Sequence, residues 1–418
     1  PNLNRLADEG IFFNNFYAAG PNCSPSRAGL MTGKSPAKVG MYSYRPHNHP
    51  LHLPDQEITL AELLKARGYQ TAHIGKWHLG ELTGNPEYDH PQPHEQGFDY
   101  SMGTENNAEP SHRNPMNFVR NGKALGKVVG YSCQIVAQEC MDWLNQKSDN
   151  PFFLYVAFHE PHAKVASPPE LVEKYKNLPQ KDAEYLANID HLDSAIGRIL
   201  NYLEQHDLMD NTIIMFSSDN GSYRLASNAG LKAVKSFLYD GGIRVPGIIK
   251  WSGIKTDRKV VEAPTGLVDV LPTLCEILDI YPPDDLDGTS FLPLLEGKPF
   301  QRKLPLYWFF YRTSPEIAMR VGDHMILGLD NDTIPRPHQF SKDDLGYLKN
   351  ISLKDYELYD LRNDFSQEKN LFHSHPKKDS LKQLIDHKLT EIKNNRYPWQ
   401  ELPLKLEQRK KKTNWVQY

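Results

Sequence analysis

The sequence predicts an α/β protein: a large, mostly parallel sheet with helices on both faces, followed by a smaller α+β C-terminal domain built on an antiparallel sheet. Three observations predict it. Strand-like and helix-like segments alternate through roughly the first 280 residues, the pattern of parallel strands joined by helical crossovers. Phe152 to Phe158 is an unbroken apolar run, which suits a strand covered on both faces. Beyond about residue 300 the alternation gives way to short strands and a hairpin, so the expected division is 1–300 and 301–418.

Each element has a local reason. The stretch from Asn2 to Ala7 reads as a helix closed by Gly10, and Ile11-Phe12-Phe13 opens a strand. Thr59 and Glu62 have the spacing of a capping box, Ile58 and Leu63 that of a hydrophobic staple, and Gly68 supplies a stop. Tyr69 to Ile74 then reads as a strand. Val136, Cys140, Trp143 and Leu144 mark a helix, as does the longer stripe Leu186, Ile189, Leu192, Ile196, Ile199 and Leu203. Ile213 to Phe216 reads as a short buried strand and Leu267 to Leu278 as a helix. In the last segment, Leu306 to Tyr311 is a strand, and Ile317–Val321 with His324–Leu329 is a hairpin around Gly322-Asp323. Glu357–Leu361 and a helix from Leu381 to Ile392 complete the pattern.

The bulk numbers exclude several classes. A formal net charge of -4 with 24% charged residues predicts no nucleic-acid partner. No apolar run approaches the roughly 18 residues that span a bilayer, so no membrane partner is expected. The basic run Arg409–Lys412 reads as a solvated tail. Four cysteines are too few for a disulfide scaffold. Cys133 and Cys140 sit seven residues apart in a helical pattern, roughly 10 Å at 1.5 Å per residue. A disulfide needs Cα atoms within about 7 Å, so these two are expected to stay unpaired. Cys275 reads as core.

Ligands of open α/β sheets bind at the carboxyl ends of strands. Lys76 and His78, His159 and His162, and Asp219 and Asn220 each follow a predicted strand, which points to a site for an anion. The strongest element is Cys23-Ser24-Pro25-Ser26-Arg27. Ser24 and Pro25 suit a first helical turn. Cys23 then lies where backbone N–H groups and the helix dipole favour anions and activate a thiol. Arg27, one turn on, offers a planar fork for an oxyanion.

Cys23–Arg27 matches the C-x-P-S-R signature, and Gly75-Lys76-Trp77-His78-Leu79-Gly80 matches the second signature, of the type I sulfatases of the alkaline phosphatase superfamily. Pro161-His162, Ser218-Asp219-Asn220-Gly221, Lys235 with Tyr239 through Pro246, and Tyr356 through Leu361 follow in that family's order, so the resemblance covers nearly the whole chain. It implies an alkaline phosphatase-like fold and a sulfuric ester hydrolase acting on a sulfated carbohydrate. It also implies that a formylglycine-generating enzyme oxidises Cys23 to formylglycine. The hydrated aldehyde carries two hydroxyls on one carbon: one attacks sulfur and displaces the alcohol, and the other, once deprotonated, releases sulfate and restores the aldehyde. A plain serine lacks the second hydroxyl.

By the same resemblance, Asp219 and Asn220 hold Ca²⁺ through oxygen atoms, and Asp219 can accept the proton of the attacking hydroxyl. Arg27 steadies the hydrated aldehyde. Lys76 and Lys235 bind the sulfate oxygens. His162, with Lys235, protonates the departing alcohol, and His78 is the base of the elimination step. His159, in a supporting role, and Lys232 are further candidates. The family also carries two acidic metal ligands on a first strand ahead of the segment where this sequence begins, so a truncated start and an incomplete metal site are expected. Localisation in a periplasm or outside the cell follows from the family alone.

Substrate choice is expected in loops, with His47, His49, Asn106, Asn107, His112 and Arg113 as candidates, and Arg45 and His52 beside them. No Cys or acidic residue completes a tetrahedral zinc set around these histidines. Two rival readings are a phosphonate or phosphate monoester hydrolase of the same superfamily and a non-catalytic glycan-binding relic.

Overall fold

A computed structural model describes residues 1–46, 51–83, 91–257, 259–311, 315–331 and 344–395. The chain divides into two compact units: Pro1–Ile11, Ile58–Ile214 and Ile249–Ile254 form the first, and Phe12–Glu57, Met215–Ile248 and Lys255–Tyr418 the second.

The first unit is built on a mixed sheet whose strand order is Lys123–Gly126, Phe118–Arg120, Tyr100–Thr104, Gln70–Lys76, Phe152–Ala157. Gln70–Lys76 pairs in parallel with a strand on each side, and its register sets Lys76 opposite Thr104 and Gly75 opposite Ala157. The core on this sheet holds Ala72, Ile74, Met102, Phe118, Val136 and Cys140. The helix Leu60–Ala66 feeds the central strand, and its predicted capping box is present: Thr59 Oγ1 accepts the Glu62 amide at 3.2 Å and Glu62 Oε2 accepts the Thr59 amide at 2.8 Å. The helices Ser132–Gln146 and Gln180–Gln205 pack together, Arg198 donating to Gln134 Oε1 at 2.8 Å. The Asp193 carboxylate accepts the Asn2 and Leu3 amides at 2.9 and 2.8 Å, which caps the helix Asn2–Glu9.

Phe152–Ala157 forms the expected strand. Among the described residues it lies at the end of the strand order, and five of its six residues are half-buried. Ile214–Ser217, expected as a buried strand, is likewise last in its strand order among the described residues and half-buried throughout. A continuous apolar run reports what a strand can tolerate on its faces; it does not report how many strands flank it.

The second unit carries two sheets. One runs in the order Thr265–Gly266, Ile11–Tyr17, Arg244–Lys250, Ile214–Ser217, with Val260–Val261 also pairing Ile11–Tyr17 in parallel. The other is an antiparallel sheet, Leu306–Tyr311, Pro315–Val321, His324–Leu329, Asp355–Asp360, followed by the helix Lys378–Asn394. The expected hairpin forms around Gly322-Asp323. This antiparallel sheet falls in the same compact unit as Phe12–Glu57. The reason is side-chain and backbone bonding over long separations: Trp308 Nε1 donates to Ala18 O at 2.8 Å, the Tyr311 amide to Tyr42 O at 2.9 Å, and Arg320 to the buried Tyr17 hydroxyl. Among the described residues no disulfide joins Cys23, Cys133, Cys140 or Cys275. Among the described residues no helix is long and apolar enough to cross a membrane.

Candidate active site

In the second unit the helix Cys23–Thr32 starts at the predicted residue, with Asn22 in extended conformation before it. Its entry is fixed by side chains. Ser26 Oγ accepts the Ala19 amide at 3.0 Å, and Ser24 Oγ accepts the Arg45 amide at 3.0 Å. Cys23, at 4% exposure, is therefore held at a helix N-terminus with its Sγ 3.3 Å from Lys235 Nζ, which donates to it. Arg27 is buried one turn on. Its Nε and one terminal nitrogen both reach Asp219 Oδ2, at 3.0 and 2.8 Å, a charge-assisted pair.

The Ser218–Gly221 and Asp240–Gly242 segments approach so closely that side chains cannot fit. A Cβ on Gly221 would lie 2.0 Å from Gly241 O, and one on Gly241 would lie 2.3 Å from Ala233 O. That contact is why both motifs need glycine, and it sets the loop bearing Lys235 beside the one bearing Asp219. Asn220 Nδ2 donates to Gly221 O at 2.9 Å, while its Oδ1 is buried without a hydrogen-bond partner. A carboxylate next to a stranded amide oxygen is an oxygen-only donor pair, which fits a hard cation such as Ca²⁺. Among the described residues no cluster of three or more His, Cys, Asp or Glu completes such a site.

In the first unit Lys76 closes the strand Gln70–Lys76 and donates to Asn107 Oδ1 at 3.1 Å. His78 follows in a left-handed conformation (φ 61°) and is buried, its amide bonded to Glu105 O at 2.8 Å. His159 is buried after the strand Phe152–Ala157, with Nε2 2.8 Å from Thr104 Oγ1 and its ring edge-on to Phe118. His162 is half-buried. Its Nδ1 lies 2.6 Å from Ala163 O, so that nitrogen carries a proton and donates. Thr104, which fixes His159, had no sequence signal of its own; it is found only through the register opposite Lys76.

The expected substrate residues separate. Asn107 touches Lys76, and Asn106 Oδ1 is buried without a hydrogen-bond partner. Arg113 is exposed, its guanidinium 5.9 Å from the Tyr131 ring centroid. His112 is fully buried, Nδ1 3.7 Å from Glu160, and burial holds its pKa below the ordinary value of 6.5 against the pull of Glu160. A ring enclosed in this way does not present itself to a sugar. Arg45 is also fully buried. His47 and His49 lie outside the described residues.

The profile of the Sulfatase family matches residues 1–280. The chain belongs to the sulfatase family. It is 33% identical to N-acetylgalactosamine-6-sulfatase of Homo sapiens, covering 78% of this chain and 66% of that protein. It is also 33% identical to the ulvan-active sulfatase of Formosa agariphila, covering 71% and 60%. The chain thus spans about two thirds or less of the length of these relatives. Among solved structures, Ps i-CgsB in complex with k-i-k-neocarrahexaose superposes with a TM-score of 0.79 at 24% identity, covering 95% of this chain and 88% of that one. A protein solved with its substrate D-glucosamine-2-N,6-O-disulfate superposes with a TM-score of 0.73 at 22% identity, covering 94% and 93%. The sulfatase fold, alkaline phosphatase-like with an antiparallel C-terminal sheet, is therefore that of this chain.

Proposed function

We propose that this sulfatase hydrolyses sulfate esters of a carbohydrate, with formylglycine made from Cys23 by a formylglycine-generating enzyme as nucleophile. The observation that carries the reading is the set Cys23, Lys235, Arg27 and Asp219. A thiol at a helix N-terminus receives a lysine hydrogen bond at 3.3 Å, and an arginine–carboxylate pair stands one turn away. A buried thiol kept for packing alone needs neither cation. Relatives named for sulfated sugars and for ulvan support a carbohydrate substrate.

When formed, the hydrated aldehyde supplies two hydroxyls on one carbon; when bound, Ca²⁺ supplies positive charge toward the sulfate oxygens. The chain's own residues do the rest. Lys235 holds an N–H donor at the nucleophile and meets the charge that grows on sulfate. Arg27 fixes Asp219 through two N–H groups on one oxygen, and Asp219 would offer carboxylate oxygen to a cation. Asn220 offers Oδ1 to the same cation. From sequence position in the family, Lys76 binds a sulfate oxygen, His162 protonates the leaving alcohol and His78 is the base of sulfate release. His162 suits its role because the bond from Nδ1 to Ala163 O fixes the orientation of the ring. A periplasmic or extracellular location is part of this proposal.

The test is a panel of sulfated monosaccharides and an aryl sulfate against an aryl phosphonate, with and without a calcium chelator. Sulfate-ester turnover that is lost on chelation and restored by Ca²⁺ is expected. Preference for the phosphonate with no sulfate ester turned over overturns the reading.

A further inference from the structure

Lys235 sits on a loop that does not hold its shape by itself. Ala233 and Ser236, on either side of it, both lie in the left-handed region (φ 61° and 74°), a strained conformation for a non-glycine residue. Such strain persists only where the surroundings over-determine it. Part of the support is backbone: the Lys235 amide bonds Ser222 O at 2.8 Å and the Ser236 amide bonds Pro21 O at 2.9 Å. Asn22 Nδ2 reaches Ser236 Oγ at 2.8 Å, and Asn228 Nδ2 reaches the Leu231 and Ala233 carbonyls at 2.6 Å each.

The rest comes from the antiparallel sheet. Lys232, three residues before Lys235, lies between two rings, its Nζ 4.5 Å from the Tyr239 centroid and 4.7 Å from that of Tyr359. The same nitrogen donates to the Tyr359 hydroxyl at 2.7 Å. Tyr359 and Tyr239 in turn donate to one oxygen of Glu357, at 2.8 and 2.7 Å. Burial and the Glu357 charge raise both phenols above their ordinary pKa, so both stay protonated and keep donating. The cation is thus spent on aromatic faces and a hydroxyl, which argues against Lys232 acting on a substrate anion. Glu357 and Tyr359 lie on the strand Asp355–Asp360, and Lys232 and Tyr239 bracket the loop of Lys235.

We propose that Lys232, Tyr239, Glu357 and Tyr359 form a brace through which the C-terminal antiparallel sheet positions Lys235 against the nucleophile. The proposal rests on the reading of Cys23 and Lys235 as the reacting pair. All four are positioning residues, since none of them touches Cys23 itself in the contacts described above.

The experiment compares Lys232→Met, Lys232→Arg and Tyr359→Phe in the full chain by steady-state kinetics on a sulfate ester and by amide hydrogen exchange. In Lys232→Met, kcat falls about 100-fold with KM nearly unchanged, the scale of a displacement of about 1 Å at a reacting group. Exchange at the Lys235 and Ser236 amides rises about tenfold while the strands Ile11–Tyr17 and Leu306–Tyr311 keep their protection. Lys232→Arg, which keeps a cation between the rings, recovers most of the loss, and Tyr359→Phe shows a smaller loss of the same kind. Unchanged exchange in Lys232→Met overturns the brace, as does raised exchange with an unchanged kcat. A wild-type protein that turns over no sulfate ester sinks the reading of the active site instead, and exchange alone then decides whether the brace exists.

Discussion

The two units hold their candidate residues by different means. In the first, Lys76 and His159 stand at or just after the ends of neighbouring parallel strands, and their positions follow from register: Lys76 opposite Thr104, with Thr104 reaching His159. In the second, Cys23, Arg27, Asp219 and Lys235 come from a helix start and irregular loops, and side-chain bonds between residues about 200 positions apart hold them in place. A site built on sheet register keeps its geometry when one side chain changes. A site built on mutual side-chain pairs does not, because each member is also the support of another.

That contrast can be broken or sharpened by substitution. The largest effect is expected in the second unit: Lys235→Met lowers kcat for a sulfate ester about 1000-fold, the upper range for removing one donor from a developing oxyanion. Lys76→Met, in the first unit, is expected to lower it about 100-fold at most. Steady-state kinetics on one substrate checks both, and a larger loss at Lys76 would reverse the ranking.

Arg27→Met should cost stability as well as activity. Arg27 and Asp219 have side chains only 6% and 24% exposed, and removing the arginine takes away the cation that pairs with this carboxylate at 2.8 Å. A loss of about 3 kcal/mol is expected by denaturant unfolding, and Arg27→Met with Asp219→Asn should recover part of it. In the first unit the comparable local device is the capping box. Thr59→Ala should cost about 1 kcal/mol and leave kcat unchanged.

The smallest effect is a pH dependence. His112 has a folded pKa below 6.5, with burial as the main cause. The folded state keeps the ring neutral while the unfolded chain takes up a proton, so stability is full above about pH 6.5 and drains as pH falls below it. Melting temperature against pH should show that slope, and His112→Gln should reduce it. A slope that rises toward acid would contradict the burial of this ring.

The same contrast decides what could be read without the structure. The helix Leu60–Ala66 and the strand it feeds announce themselves through local spacing, and Cys23 at a helix start follows from Ser24 and Pro25 in the first turn. Strand ends then lead to Lys76, His159 and Asp219. What was not legible depends on pairing across the chain. Phe152–Ala157 is apolar enough for a sheet centre, yet among the described residues it pairs on one side only. The division into units follows from bonds such as Trp308 to Ala18, which leave no period in the sequence. His112 looked like a loop residue because nothing near it announces Glu160, 48 positions on, as the group it is buried against. Lys232 looked like one more cation near a lysine of the site, and only Tyr239, Glu357 and Tyr359 show what it holds.

The central claim is that Cys23 becomes the nucleophile. It is tested most directly by the mass of the peptide containing Cys23, from protein matured beside a formylglycine-generating enzyme. The account predicts an aldehyde at Cys23. An intact thiol there, in a host that converts a control sulfatase, would contradict it.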